Sequence, residues 1–168
     1  MDKRRFAWLW LSFGVLIADR ATKTIFEAYT PEGYRKQLVH NFIYLVHSRN
    51  PGLAFGLFAD TASPWVKAAL VGASAAVIAL LAWLLLADHA QGWMSRAGLA
   101  LIIGGAAGNN LVDRLLHGAV TDFFEVLLGR YHWPAFNLAD SAITVGALLV
   151  ILELVFGAGQ AKAEKGKG

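Results

Sequence analysis

Residues 68–87 read AALVGASAAVIALLAWLLLA, a run without a single charge. As an α-helix this run is about 30 Å long, the thickness of a bilayer's hydrocarbon core. An uncharged run of that length is read as a membrane-spanning helix. Three more apolar stretches lie outward from it. One runs from residue 6 to about 29 and is interrupted by Asp19, Arg20 and Lys23. Another, residues 97–112, is rich in Gly and Ala and ends on Asp113-Arg114; Gly104, Gly105 and Gly108 would let neighbouring helices approach closely. The last, about 138–156, carries Asp140 near its start and Glu153 near its end.

Composition agrees. The chain is 57% hydrophobic and 16% charged, against roughly a quarter charged in soluble domains. Six of its fifteen Lys and Arg residues sit in the tails, as Lys3, Arg4, Arg5, Lys162, Lys165 and Lys167. Basic tails beside apolar segments mark the cytoplasmic side of a membrane, not a nucleic-acid surface. The absence of cysteine excludes disulfides, thiol catalysis and cysteine metal sites. The basic start and residues 6–18 imitate a secretory signal peptide, but no small-x-small cleavage site follows, so the first helix is read as retained.

The fold class expected is therefore mostly α and integral to the membrane: a bundle of four transmembrane helices forming one domain, residues 1–156, with a mobile basic cytoplasmic tail at 157–168. Four crossings put both termini in the cytoplasm and leave two outer connections, about 30–64 and 116–137. Trp8, Trp65, Trp93 and Trp133 fall near the boundaries, as an aromatic belt would. In the first outer connection, residues 37–47 read as a strand, Asn50-Pro51-Gly52 as a turn and 53–58 as a second strand. They predict a small periplasmic β-sheet formed largely by that connection. Residues 41–60 are expected to move when substrate arrives.

This topology gathers the ionisable groups at one level. Asp19 and Lys23 lie toward the outer end of the first helix, Asn110, Asp113 and Arg114 at the outer end of the third, and Asp140 at the outer start of the fourth. Asp122 falls in the connection between the last two. Charges at membrane depth are costly, which makes such a cluster a functional candidate. Asp19 and Lys23, four apart, share a helix face and can pair. Arg20, Arg49 and Arg130 read as solvent or headgroup contacts, Ser141 as a helix-start residue, and the five histidines show no metal-ligand spacing. No Gly-x-Ser-x-Gly element is present. The chemistry left is that of carboxylates. Two aspartates held close cannot both ionise cheaply; the charged one can activate water while the protonated one polarises an amide carbonyl. Composition and topology leave open which two aspartates those are.

The polar clusters, read in order, resemble those of lipoprotein signal peptidase (signal peptidase II). Asp19-Arg20-Ala21-Thr22-Lys23 matches its D-x-x-[ST]-K element, and Asn50-Pro51-Gly52-Leu53-Ala54-Phe55 matches N-x-G-x-A-F. Residues 104–114, GGAAGNNLVDR, resemble G-G-A-x-G-N-x-x-D-R. Val120-Thr121-Asp122-Phe123 matches V-x-D-F, and Phe136-Asn137-Leu138-Ala139-Asp140-Ser141 matches F-N-x-A-D-S. The resemblance implies an aspartyl endopeptidase that removes the signal peptide of prolipoproteins before a diacylglyceryl-modified cysteine, without metal or cofactor. It carries the catalytic role onto Asp122 and Asp140, with no division into acid and base. It makes Asp19, Lys23, Asn50, Gly52, Gly108, Asn110, Asp113, Arg114, Asn137 and Ala139 binding or support residues. The partners implied are lipidated prolipoproteins and membrane lipids, and the location is the bacterial inner membrane. A monomer is expected.

Two departures stand out. Three residues instead of two separate Gly108-Asn109 from Asp113-Arg114: counting back from Asp113 selects Asn110, and adjacency to Gly108 selects Asn109. An inserted residue turns a helix by about 100° unless a local bulge absorbs it. Thr121 stands where a second valine is common. Two other functions compete. One is a non-catalytic relative that binds lipidated peptides. The other is a small proton or cation transporter, which would place charges at the midplane and show an inverted repeat, whereas here they cluster at one end.

Overall fold

The computed structural model describes residues 3–51, 64–87 and 92–157. Gly52, the strand expected at 53–58 and the tail at 158–168 lie outside them. Helix α1 (Lys3–Tyr29) is followed by strands β1 (Arg35–Val39) and β2 (Ile43–Asn50), then helix α2 (Pro64–Leu86). Helix α3 (Trp93–Ala106) continues without a break into a π-helical segment, Ala107–Asp113, and one further turn, α4 (Arg114–His117). Strands β3 (Val120–Leu128) and β4 (Tyr131–Phe136) lead into α5 (Leu138–Leu152), which closes in a second π segment, Glu153–Gly157.

Among the described residues, two helical stretches are long and apolar enough to cross a bilayer: Pro64–Leu86, with mean hydropathy 2.5, and Leu138–Phe156, with mean hydropathy 2.1. Burial in this molecule is inverted relative to a water-soluble protein. Trp10, Phe13, Trp65 and Trp83 face outward, while Asp19, Lys23, Asp113 and Asp122 are enclosed. So much outward apolar surface suits lipid as solvent and would aggregate in water.

Helix α3 is the central rod, and small residues explain its place. A side chain at Gly104 would meet the Ser12 carbonyl oxygen of α1 at 2.5 Å, and one at Gly105 the Ala139 carbonyl oxygen of α5 at 2.5 Å. Gly98 and Gly146 face each other so closely that neither could carry a Cβ. Backbones touch because nothing stands between them, which is how helices gain dispersion energy where lipid supplies no hydrophobic drive. Ser12 adds a hydrogen bond to the Ala100 carbonyl oxygen at 2.8 Å. Further along, Leu85, Leu99, Ala100 and Ile103 form an apolar core against Trp8, Leu9, Ile78 and Leu81.

The sheet differs from the expectation. Among the described residues it has four antiparallel strands in the order β1-β2-β3-β4, two from each outer connection. Residues 37–47 are not one strand: the chain reverses at Asn41, at φ 48, a left-handed conformation that asparagine tolerates better than most residues. The β3–β4 hairpin closes on Gly129, at φ 63. Its signal lies in residues 120–136, rich in Val, Phe, Leu, Tyr and Trp and split by Gly129-Arg130. The sheet is docked on α1 by a stack of Phe26 on Phe123, centroids 5.4 Å apart.

Candidate active site

Lys23 is the hub. It is fully buried, and its ammonium donates to Asp19 Oδ2 at 2.7 Å, to Asp113 Oδ2 at 2.6 Å and to Asn109 Oδ1. An ammonium has three protons, and here each has an acceptor. Helical spacing supplies the first contact, since Asp19 and Lys23 are one turn apart on α1. The other two come from the π segment. Asp19 turns its second oxygen to the first turn of α5, accepting the Ala139 N–H at 3.0 Å, one of the amides a helix start leaves unpaired. Gly108 makes room for that carboxylate: a Cβ there would lie 2.8 Å from Asp19 Oδ2.

Asn137 joins this hub to the two candidate aspartates. As the N-cap of α5 it accepts the Asp140 N–H at 3.0 Å, while Asp140 Oδ2 accepts the Asn137 N–H at 3.1 Å. This reciprocal capping box has aspartate in the position usually held by Glu or Gln. The Asn137 side-chain amide donates to Asp122 Oδ1 at 2.7 Å and to Asn109 Oδ1 at 3.2 Å. Asn109 in turn donates to Asp140 Oδ1 at 2.8 Å. Asp122, on β3, also takes a hydrogen bond from Asn50 at the end of β2. One asparagine thus contacts both carboxyl groups and fixes their separation. Burial, reinforced by the neighbouring charge of Asp140, pushes the Asp122 carboxyl from 3.8 up to about 7. A carboxyl raised that far lets the pair keep a proton near neutral pH.

The extra asparagine is absorbed by the π segment, and this decides between the two candidates: Asn109 enters the network, whereas Asn110 points away and accepts from Arg114 Nε at 3.2 Å. The three-residue step to Asp113 selects Asn110 and adjacency to Gly108 selects Asn109; in the wider π turn it is Asn109 that reaches Lys23 and Asp140. Arg114 reaches the Pro51 carbonyl oxygen at 3.2 Å and so ties the π segment to the end of β2. Arg20 is not a headgroup contact. It donates to Asp113 Oδ1 at 3.1 Å and to Glu27 Oε2 at 2.6 Å. Glu27, which the motifs do not include, accepts from the Thr121 hydroxyl at 2.6 Å. Seven residues separate Arg20 from Glu27, about two turns, and this spacing was the available sign. Ser141 caps the Asn137 carbonyl oxygen at 3.0 Å, a helix-start role.

The network links all five motif blocks around two carboxyl groups held by one asparagine. A family model for signal peptidase (SPase) II matches residues 11–156. The chain belongs to the signal peptidase II family. It is 39% identical over 154 residues to the lipoprotein signal peptidase of Solibacter usitatus, covering 87% of this chain and 91% of that one. It is 40% identical over 146 residues to that of Serratia proteamaculans, covering 87% and 85%. With that of Desulforapulum autotrophicum it shares 38% over 157 residues, covering 93% and 96%. Two solved structures of a bacterial membrane enzyme, obtained by the in meso method at 2.3 and 1.9 Å, superpose with TM-scores of 0.80 and 0.76. They share 25% and 26% of residues with this signal peptidase II family member; the first covers 92% of this chain and 90% of its own, the second 88% and 92%.

Proposed function

We propose that this chain is an aspartyl endopeptidase of the bacterial inner membrane that removes the signal peptide of prolipoproteins, cutting before the diacylglyceryl-modified cysteine. The observation that carries the catalytic reading is the pairing of Asp122 and Asp140 through Asn137, where burial and the neighbouring charge keep a proton on the pair. One carboxylate takes a proton from water as it attacks the scissile carbonyl carbon. The carboxylic acid donates to the carbonyl oxygen and then to the leaving amine. The pair titrates as a unit, so acid and base belong to the dyad and not to fixed residues.

In the topology that goes with this reading, residues 1–156 form one domain with four membrane crossings. The two tails face the cytoplasm, and the sheet lies on the periplasmic side beside the dyad. The enzyme acts as a monomer. An apolar groove of about 440 Å³ supports a lipidated substrate: Leu11, Val15 and Ala18 of α1 face Leu138, Ala142 and Val145 of α5 across it, and it reaches Ser141, next to Asp140. Its lining suits acyl chains. The test is cleavage by purified protein of a prolipoprotein with and without its diacylglyceryl group. Cleavage of the lipidated form alone is expected, and equal cleavage of both would overturn the lipid requirement.

A further inference from the structure

Strand β3 presents its side chains alternately to two sides. Thr121 and Phe123 turn toward α1, where Thr121 Oγ1 donates to Glu27 Oε1 at 2.6 Å and Phe123 stacks on Phe26. Asp122, between them, turns the other way, onto Asn137. The backbone of Thr121 is held as well, since its carbonyl oxygen accepts from Asn137 Nδ2 at 3.3 Å. Thr121 is therefore gripped on both sides, by Glu27 through its hydroxyl and by the dyad's own asparagine through its carbonyl. Glu27 does not float: Arg20 bridges it to Asp113, and Asp113 is bound to Lys23. A continuous chain of charge-assisted hydrogen bonds thus runs Lys23–Asp113–Arg20–Glu27–Thr121 and ends one residue from Asp122.

We propose that Glu27 and Thr121, with Arg20 as their bridge, are positioning residues that set where β3 holds Asp122 relative to Asp140. The proposal rests on the dyad reading above. The physical case is that Thr121 is buried, at 2% exposure, so its hydroxyl has little water to turn to if parted from Glu27. A strand tied to α1 at that point cannot slide or twist without breaking the bond, and Asn137 moves with it. Misplacing a reacting group by about 1 Å costs on the order of a hundredfold in rate, so a modest loosening is expected to cost less. Valine is common at this position in the family pattern; here it would leave Glu27 Oε1 facing a methyl group.

The experiment is steady-state cleavage of a lipidated prolipoprotein by full-length Thr121→Val, Thr121→Ser and Glu27→Leu, with Asp122→Asn as reference. Thr121→Val should lower kcat about tenfold with KM within about twofold, and Thr121→Ser should stay near wild type because it keeps the donor. Asn137's hydrogen bond holds the Asp122 carboxyl down, so loosening it should move the ionisation in kcat/KM to higher pH. Wild-type kcat and pH profile in Thr121→Val, or equal loss in Thr121→Ser, overturns the proposal. Should Thr121→Val not fold, Glu27→Leu, which removes the acceptor, decides: a lowered kcat with the same displaced profile supports the proposal, and wild-type behaviour overturns it. An inactive Asp122→Asn beside a normal Thr121→Val rejects the positioning role alone; an active Asp122→Asn rejects the dyad itself.

Discussion

A lysine without access to water keeps its charge only if every proton finds an acceptor, and Lys23 finds Asp19, Asp113 and Asn109. Removing one partner of such a buried set costs more than the set contributes, because the remaining charges are stranded. Lys23→Met should destabilise the protein by about 3–5 kcal/mol, read as a lowered midpoint of thermal unfolding in detergent; an unchanged midpoint would contradict the hub. Asp122 makes a separate prediction about pH. Its carboxyl is raised from 3.8 to about 7, so the folded state favours the protonated form. The stability this group contributes is complete below 3.8 and lost as pH rises through about 7. Wild type should therefore lose stability across that window relative to Asp122→Asn, which has no proton to give up; parallel curves would refute it. The Asp19–Lys23 pair was legible in the sequence because helical spacing places i and i+4 on one face. The contact of Glu27 with Thr121 was not, since the two lie 94 residues apart in the chain and only packing joins them.

The third helix shows how an element absorbs a change in its own sequence. Three residues lie between Gly108-Asn109 and Asp113-Arg114, and the π segment takes up the extra one, so that Asn109 and Asp113 both still reach Lys23. This removes the motive for a binding-only reading, which arose from the insertion. Deleting Asn110 should convert the segment to regular α-helix and leave cleavage within about threefold of wild type, because a π-bulge is a one-residue insertion in an α-helix. A loss beyond about a hundredfold would mean that the bulge itself shapes the site. The four-stranded sheet was half legible. In the first connection composition announced a strand at 37–47 but not its reversal at Asn41, whereas residues 120–136 were read as a connection despite their β-rich composition and Gly129-Arg130 turn.

At the scale of the whole molecule, enclosed charges and outward-facing aromatic and aliphatic side chains define a protein whose solvent is lipid. The four apolar stretches were legible because each is long; the helix packing was not, since it rests on pairs such as Gly98 and Gly146 that meet only across helices. The proposed topology can be tested cleanly because the chain has no cysteine. Single cysteines at Arg130, exposed at the end of the β3–β4 hairpin, and at Ala163 in the tail should report opposite sides. An impermeant maleimide added to intact spheroplasts should label the first and not the second. Labelling of both, or of the second alone, would reverse or break the four-crossing arrangement.

The central claim is the shared role of Asp122 and Asp140, and single Asp122→Asn and Asp140→Asn variants test it most directly, assayed for cleavage of a lipidated prolipoprotein beside binding of the same substrate. Both should fold and bind substrate within about threefold of wild type, and each should lose about 10²–10⁴-fold in kcat, the range that general acid–base groups supply. Cleavage at the wild-type rate by either folded variant would contradict the dyad.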